Sequence, residues 1–127
     1  MDYRRGNRDI YAQRFARDGT PSGYNFKVND DPQSANQYYP SVSMAHTGQF
    51  VITWEDWRNG NPDIYIQCFT NNGNPIGNNF ILTNTYIMEQ LRPEVSLCNG
   101  RIFNTWIDNR SGNTIYNIWT NVLDWLK

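Results

Sequence analysis

The sequence predicts an all-β protein built from repeated antiparallel sheets, and three observations lead to this prediction. A box that begins Asp2-Tyr-Arg-Arg-Gly-Asn returns as Asp56-Trp-Arg-Asn-Gly-Asn and again as Asp108-Asn-Arg-Ser-Gly-Asn. The copies lie 54 and 52 residues apart, a spacing typical of stacked structural repeats. Short runs of β-branched and aromatic residues fill the intervals, and turn dipeptides such as Asn99-Gly100 separate them.

The repeat extends well beyond this box and covers nearly all of the chain except its C-terminal end. Gly19-Thr-Pro-Ser-Gly matches Gly73-Asn-Pro-Ile-Gly, and Pro40-Ser-Val matches Pro93-Glu-Val. One such unit cannot bury the faces of its own sheet, so neighbouring units are expected to stack on one another.

One full repeat unit contains four predicted strands joined by short hairpins. They cover residues 40–44, 49–54, 63–69 and 80–84 and are called a, b, c and d in chain order. Strand c alternates large apolar side chains with smaller or polar ones, which is the period of two expected for a strand. A four-stranded meander that recurs every ~40–50 residues is typical of a β-propeller blade. A β-sandwich is the main alternative, but its strands have no reason to recur with the same turn boxes.

The repeated motif resembles the blade repeats of large bacterial and archaeal cell-surface proteins. The string Trp54-Glu-Asp-Trp-Arg-Asn-Gly-Asn-Pro-Asp-Ile-Tyr65, followed by Gly73-Asn-Pro-Ile-Gly-Asn-Asn-Phe80, carries the resemblance, which covers residues 2 to 119. It implies a β-propeller at or outside the cell surface, distantly similar in architecture to sialidases. The sialidase box Ser-x-Asp-x-Gly-x-Thr-Trp is missing, so the resemblance implies no activity.

The ends of the chain fall inside predicted blades rather than between them. Within this single repeat domain, residues 1–30 supply strands c and d, residues 40–84 a complete blade, residues 93–121 strands a and b with a degraded c, and residues 122–127 a tail. About two blades cannot close a ring, which needs ~4–8. Two interpretations follow. Copies complete one another in a ring or filament by pairing c–d halves with a–b halves, or the chain is a piece of a longer propeller.

Composition narrows the range of partners. The formal net charge is −1, with 11 basic and 12 acidic residues, so neither nucleic acid nor an anionic membrane is expected as a partner. No apolar run reaches the ~18 residues needed for a membrane span. The N-terminus lacks the apolar stretch of a secretory signal, which leaves an intracellular protein or a segment whose export signal lies elsewhere. Cys68 and Cys98 form no recognisable framework, and a disulfide between them stays open.

The repeated box is expected to be scaffold, because catalytic sites are normally singular and this group recurs. Its Asp can accept backbone N–H bonds across the b–c turn, its Arg can fork onto carbonyls or a carboxylate, and its Gly can adopt a positive φ. The repeated aromatics are assigned to packing between blades, with the strand-c tyrosines in one register. These aromatics are Trp54, Trp106, Tyr11, Tyr65 and Tyr116, and the box residues are Asp2, Arg4, Gly6, Asp56, Arg58, Gly60, Asp108, Arg110 and Gly112.

Aromatic residues that the repeat does not explain offer a candidate binding site. Tyr38 and Tyr39 fall in the predicted d–a connector and Trp57 in the b–c loop, and these two kinds of loop emerge on the same face of a blade. Loops carry binding residues more often than the elements they join. The sequence therefore predicts an aromatic and cationic rim that can stack on a glycan, formed by Tyr38, Tyr39, Trp57, Arg58 and Arg110.

No motif in the sequence predicts a reaction, a metal or a cofactor. Asp30 and Asp31 lack the spacing of a calcium loop, and the single histidine, His46, has no serine or cysteine partner in a known motif. The chain is therefore predicted to be a non-enzymatic structural or adhesive propeller subunit that assembles with copies of itself at the cell surface. The alternatives are a lectin-like module that binds glycans and a fragment of a sialidase-like propeller hydrolase.

Overall fold

The computed structural model describes residues 6–32, 34–83, 88–112 and 114–125. These residues form nine β-strands and no helix, which confirms the predicted all-β class. The strands are β1 (Tyr11–Phe15), β2 (Pro21–Lys27), β3 (Gln37–Met44), β4 (Phe50–Asp56), β5 (Asp63–Phe69), β6 (Pro75–Ile81), β7 (Gln90–Cys98), β8 (Arg101–Asp108) and β9 (Asn117–Asp124).

The strands form three antiparallel sheets that follow the order of the chain. The first sheet contains β1 and β2, the second contains β3, β4, β5 and β6 in that order, and the third contains β7, β8 and β9. Consecutive strands are neighbours throughout, as expected for strands joined by hairpins. The second sheet is the four-stranded meander that the sequence predicts for residues 40–84. No sheet of the described residues closes on itself.

The three sheets lie face to face, with the second sheet in the middle. Ile10 and Val28, which flank the first sheet, share a buried cluster with Trp54 of β4. On the other face of the second sheet, Val51 shares a second buried cluster with Ile102 of β8. Because both faces are covered, every residue of β4 and β5 is buried. Two covered faces also explain why apolar residues occupy both faces of these strands.

Strand d begins earlier in the chain than the sequence analysis predicts. The prediction places it at residues 80–84, after the Gly-x-Pro-x-Gly box at residues 73–77. β6 instead covers Pro75–Ile81 and β2 covers Pro21–Lys27, so most of the box belongs to the strand. A proline is tolerated at the first position because β2 and β6 are edge strands.

A β-bulge at Gly77 explains how the box fits into a strand. Gly77 has a φ of 68°, and the register between β5 and β6 shifts around Gln67. The side-chain amide of Gln67 donates to the carbonyls of Ile76 and Gly77, which satisfies the bulged backbone. Gln13 and Gly23 repeat the arrangement in the first sheet, where Gln13 Nε2 donates to the Gly23 carbonyl. The repeat therefore pairs a glycine that bends the strand with a glutamine that fills the bend.

Strands a and b of the second sheet are longer than predicted. β3 begins at Gln37 instead of residue 40, so Tyr38 and Tyr39 lie in a strand rather than in a connector. β4 continues to Asp56 instead of residue 54. Asp56 has little strand propensity, yet it pairs directly with Gln37 across the two strands, and both residues are fully buried.

The third sheet is completed by a strand that extends into the predicted tail. β9 continues to Asp124, so the tail predicted at residues 122–127 begins as strand, and residues 126–127 lie outside the described residues. β9 pairs with β8 along its whole length. Since β7 pairs with the other edge, both edges of β8 are occupied.

The predicted register of Tyr116 is wrong. The loop before β9 spans residues 109–116, whereas the corresponding loop before β5 spans residues 57–62 and is two residues shorter. Tyr116 therefore lies in the loop and is exposed. Trp119 occupies the strand position that was predicted for Tyr116. The longer loop displaces the Ile-Tyr motif from the strand.

The two cysteines are both free thiols. Cys68 is buried between the second and third sheets, whereas Cys98 is exposed at the end of β7. Loss of hydration by burial raises the pKa of the Cys68 thiol to about 11. A buried thiol that stays protonated at neutral pH is a poor nucleophile, so Cys68 acts as a small apolar core residue.

Candidate functional site

Three of the five predicted glycan-binding residues lie together. The ring centroids of Tyr38 and Tyr39 are 6.2 Å apart, and the ring of Tyr38 lies 6.3 Å from that of Trp57 in an edge-to-face arrangement. Tyr38 is half-buried, whereas Tyr39 and Trp57 are 55% and 38% exposed. The cluster therefore presents two exposed aromatic rings beside a third that is held in place.

Arg8, which lies before β1, and Asn36, which lies before β3, hold this aromatic cluster in place. Arg8 Nη1 donates to the Tyr38 hydroxyl over 2.5 Å, and the guanidinium carbon lies 4.9 Å from the centroid of the Tyr38 ring. Asn36 accepts the backbone N–H of Arg8 on its side-chain oxygen and the backbone N–H of Trp57 on its carbonyl. Three segments that are distant in sequence are thereby held at one place.

Tyr39 and Arg92 have strained backbones beside the cluster. Their φ angles are 49° and 52°, in the left-handed region that bulky L-residues rarely adopt. Each precedes a proline, which favours extended backbone instead. They occupy equivalent positions of the repeat, where the register of strand a shifts against strand b. The guanidinium carbon of Arg92 lies 5.8 Å from the centroid of the Tyr39 ring.

Glu55 links the aromatic cluster to Arg92. It pairs across the strands with Tyr38, and its side chain accepts the backbone N–H of Arg92 over 2.8 Å. Glu55 is only 2% exposed. Loss of hydration by burial raises the pKa of this carboxyl, although the N–H bond and the charge of Arg92 oppose the effect. The bond from the Arg92 N–H thus favours the ionised form of a carboxyl whose burial disfavours it.

Arg8, Glu55 and Arg92 are functional candidates that the sequence analysis missed. Arg92 could have been found, because it stands at the repeat position of Tyr39 and is likewise followed by proline. No sequence signal marks Arg8, since its contact with Tyr38 depends on how the first sheet packs against the second. Glu55 is not marked either, because its bond to Arg92 joins two sheets.

Arg58 does not belong to the aromatic cluster, contrary to the prediction. It forks onto Asp56, with Nε 3.0 Å from Oδ1 and Nη2 2.8 Å from Oδ2, and it forms an ion pair with Asp30 over 2.9 Å. Its guanidinium carbon lies 4.2 Å from the centroid of the Tyr65 ring. Burial opposes its charge, but the bonds to Asp56 and Asp30 outweigh this effect and raise the pKa of Arg58. Arg58 therefore links Asp56 of β4 with Asp30, which follows β2, and its contacts are structural.

Arg110 repeats this arrangement in the third sheet and is likewise not part of the cluster. Its backbone N–H donates to Asp108 Oδ1 over 2.7 Å, and its Nε donates to Oδ2 over 2.9 Å. Burial opposes ionisation of Asp108, but the bonds from Arg110 outweigh it and lower the pKa of this carboxyl. The box glycines Gly6, Gly60 and Gly112 have φ angles of 87°, 90° and 141°, and Asp2 and Arg4 lie outside the described residues.

A groove of about 630 Å³ lies between β1 and the second sheet. β1 pairs with β2 along one edge and has no partner strand on its other edge among the described residues. Val42 and Met44 line the groove and are each 62% exposed. Their repeat equivalents, Val95 and Leu97, pack against the core between the second and third sheets. Equivalent positions are thus exposed on the second sheet and buried on the third sheet.

The outer face of the third sheet is also uncovered. β8 alternates exposed and buried residues, and Phe103 on its outer face is 39% exposed. Ile118 and Val122 of β9 are 79% and 48% exposed. Val51, the repeat equivalent of Phe103, is fully buried against the third sheet. Two apolar surfaces are therefore uncovered: the groove on the second sheet beside β1, and the outer face of the third sheet.

The described part of the chain holds no group of three or more His, Cys, Asp or Glu side chains able to bind a metal ion. No helix among these residues is long and apolar enough to cross a membrane.

Comparisons with known proteins give no match: no protein-family model fits the chain, and no curated protein or solved structure is significantly similar to it. The functional interpretation therefore rests on the aromatic cluster and on the two uncovered apolar surfaces.

Proposed function

We propose that this chain is a structural or adhesive β-propeller subunit that assembles head to tail with copies of itself. The third sheet of one copy lies in the groove of the next. The observation that carries the proposal is the unequal covering of equivalent residues: Val42 and Met44 are exposed, whereas Val95 and Leu97 are packed against a core. The resemblance of the repeat to cell-surface blades supports a location at or outside the cell surface.

The first sheet contains strands c and d of a repeat unit and lacks strands a and b. In the third sheet, strands a and b are β7 and β8. In the groove, these strands of a second copy would cover Val42 and Met44 in the way that β7 covers the other face of the second sheet. Within the chain, Ser43 Oγ of β3 accepts the backbone N–H of Leu97 over 2.9 Å. Ser96 of the partner subunit, the repeat equivalent of Ser43, would accept the N–H of Met44 in the same way.

Completion of a four-stranded blade requires β9 to leave β8, because β9 occupies the edge to which β1 of the next copy would bond. The backbone pairing of β9 with β8 is complete, but it leaves side-chain polar atoms unsatisfied. Asn104 Oδ1 and Trp119 Nε1 are buried there without a hydrogen-bond partner in the described part of the chain. When β1 of the next copy pairs with β8 in place of β9, β7 and β8 form a four-stranded blade with β1 and β2 of that copy. Each copy then contributes two blades: the second sheet and two halves of shared blades. The rotation at this heterologous contact decides between a closed ring and a filament.

Size-exclusion chromatography with light scattering tests the head-to-tail contact. Wild-type protein is expected to form defined multimers. Val42→Asp, in the groove, and Phe103→Asp, on the outer face, should each yield monomers, because a charge is buried without a partner. An equimolar mixture of the two variants should form a dimer, since one retains a working face and the other a working groove. A monomeric wild-type protein, or a mixture that stays monomeric, refutes the proposal.

A third variant tests whether β9 is displaced. Ile118→Asp places a charge on the outer face of β9, and multimers should persist because β9 leaves the interface. If the third sheet docks with β9 in place, the same charge blocks assembly, which would rule out strand exchange. Tyr24→Asp is the matched control, since Tyr24 is 95% exposed on β2 and does not line the groove.

A further inference from the structure

The aromatic cluster has the properties of a binding surface for a ring-shaped ligand. Tyr39 and Trp57 present exposed rings, while Tyr38 is fixed between them by Arg8. Rings that are already held in place lose little conformational freedom when a ligand stacks on them. The negative face of an aromatic ring attracts the weakly positive C–H groups on one face of a pyranose.

A cavity of about 310 Å³ adjoins Tyr39 and is lined by Tyr39, Pro40, Arg92, Pro93 and Glu94. Its volume is at the lower end of the range of small-molecule sites, which is ~300–1,000 Å³. The guanidinium of Arg92 makes no hydrogen bond or ion pair with any of the described residues, and its one ring contact is with Tyr39. Glu94 accepts a hydrogen bond from the Ser41 hydroxyl over 2.7 Å, which orients its carboxylate.

The backbone strain at Tyr39 and Arg92 gives a second, independent indication. Bulky residues at positive φ persist only where the surrounding structure holds them, and such residues cluster at ligand sites. Here the bond from Arg92 N–H to Glu55 holds one of the two strained residues. The strain places a ring and a guanidinium side by side on adjacent sheets.

We infer that this cavity binds an acidic saccharide, with the pyranose ring stacked on Tyr39 and its carboxylate held by Arg92. A planar guanidinium matches a carboxylate through two parallel hydrogen bonds, which a neutral sugar cannot offer. The Glu94 carboxylate accepts a hydrogen bond from a sugar hydroxyl. The site does not depend on the assembly of copies, because all of these residues belong to one chain.

Isothermal titration with two matched probes tests the site: a trimer of galacturonic acid and a trimer of galactose. The acidic trimer should bind at least ~10-fold more tightly. Tyr39→Gly should weaken binding of the acidic trimer by a similar factor and raise the midpoint of thermal unfolding, because glycine relieves the positive φ. Arg92→Gln should abolish the preference for the acidic trimer.

Two controls keep the outcome separate from the assembly proposal. Tyr24→Ala removes an exposed tyrosine outside the cavity and should leave saccharide binding unchanged. Val42→Asp, which should abolish assembly, should bind the acidic trimer like the wild type. Absence of binding by either trimer, equal affinity for both, or full affinity in Tyr39→Gly overturns the inference.

Discussion

Trp119 occupies in the third sheet the place that Tyr65 occupies in the second. Trp119 pairs with Trp106 across β8 and β9, as Tyr65 pairs with Trp54 across β4 and β5. Both rings lie against an arginine guanidinium, at 3.9 Å for Trp119 and 4.2 Å for Tyr65. The repeat thus conserves a position for an aromatic ring under the box arginine, although the residue and its distance from the box both change.

Substitution of Trp119 should therefore destabilise the protein more than substitution of Tyr116. In the Val42→Asp background, which should be monomeric with β9 still paired to β8, Trp119→Ala removes a large ring and its cation–π contact, and we expect a loss of ~2–3 kcal/mol in the free energy of unfolding. Tyr116→Ala removes an exposed loop side chain and should cost less than ~0.5 kcal/mol. Urea unfolding followed by circular dichroism measures both. A larger loss for Tyr116→Ala would show that the sequence register is right after all.

The order and pairing of the strands could be predicted because they depend on local signals that recur. Strand c of the second sheet matches its predicted bounds, residues 63–69, because period-two alternation and flanking turns mark it clearly. The start of strand d is harder to predict, because its Gly-x-Pro-x-Gly sequence has the composition of a turn. Only the contact between Gln67 and the bulge at Gly77 shows that the box continues a sheet.

The candidate site could be predicted only in part. Tyr38, Tyr39 and Trp57 lie together as predicted, although Tyr38 and Tyr39 belong to the start of strand a and not to the predicted d–a connector. Arg58 lies outside the cluster, because the sequence does not tell whether an arginine two residues after an aspartate folds back onto it or faces solvent. The contact between Arg92 and Tyr39 joins different sheets, so it depends on packing that no local pattern records.

The glycine at the bulge of strand d should be sensitive to substitution for a conformational reason. An added Cβ at Gly77 would meet no heavy atom within 4 Å, so the cost of Gly77→Ala is backbone strain rather than a clash. We expect a loss of ~1–2 kcal/mol, and a smaller loss for Gly77→Asn, because asparagine tolerates positive φ. Asn78→Ala, at an exposed neighbour, should change stability by less than ~0.5 kcal/mol. Equal stability of Gly77→Ala and wild type contradicts this account.

The scaffold role of Arg58 predicts a stability effect without a binding effect. The Asp56 side chain is completely buried, so Arg58→Ala leaves a buried carboxylate without its ion-pair partner. The expected loss is ~3 kcal/mol in the free energy of unfolding. Arg58→Lys keeps the charge but not the two-pronged geometry and should lose less. If Arg58→Lys binds the galacturonic acid trimer more weakly than wild type, Arg58 belongs to the saccharide site.

Glu55 should make stability depend on pH in an identifiable direction. Burial raises the pKa of this carboxyl above its ordinary value of 4.5. The folded protein therefore holds the proton more tightly than the unfolded chain, and the contribution of Glu55 to stability is fully present below about pH 4.5. That contribution is lost as pH rises through the folded-state pKa, because ionisation is then more costly in the folded protein.

Glu55→Gln isolates this contribution from those of other carboxyls, such as Asp108, whose pKa is lowered and whose contribution is lost in acid. Glutamine keeps an oxygen for the Arg92 N–H but carries no charge. Relative to the wild type, the variant should gain stability as the pH rises from about 4 to about 8, since only the wild type must ionise a buried group. Urea unfolding of both proteins across this range measures the difference. A difference that is constant with pH would mean that the fold leaves the pKa of the Glu55 carboxyl unchanged, and a difference that grows towards acid would mean that the fold stabilises its carboxylate; either result contradicts the expected direction.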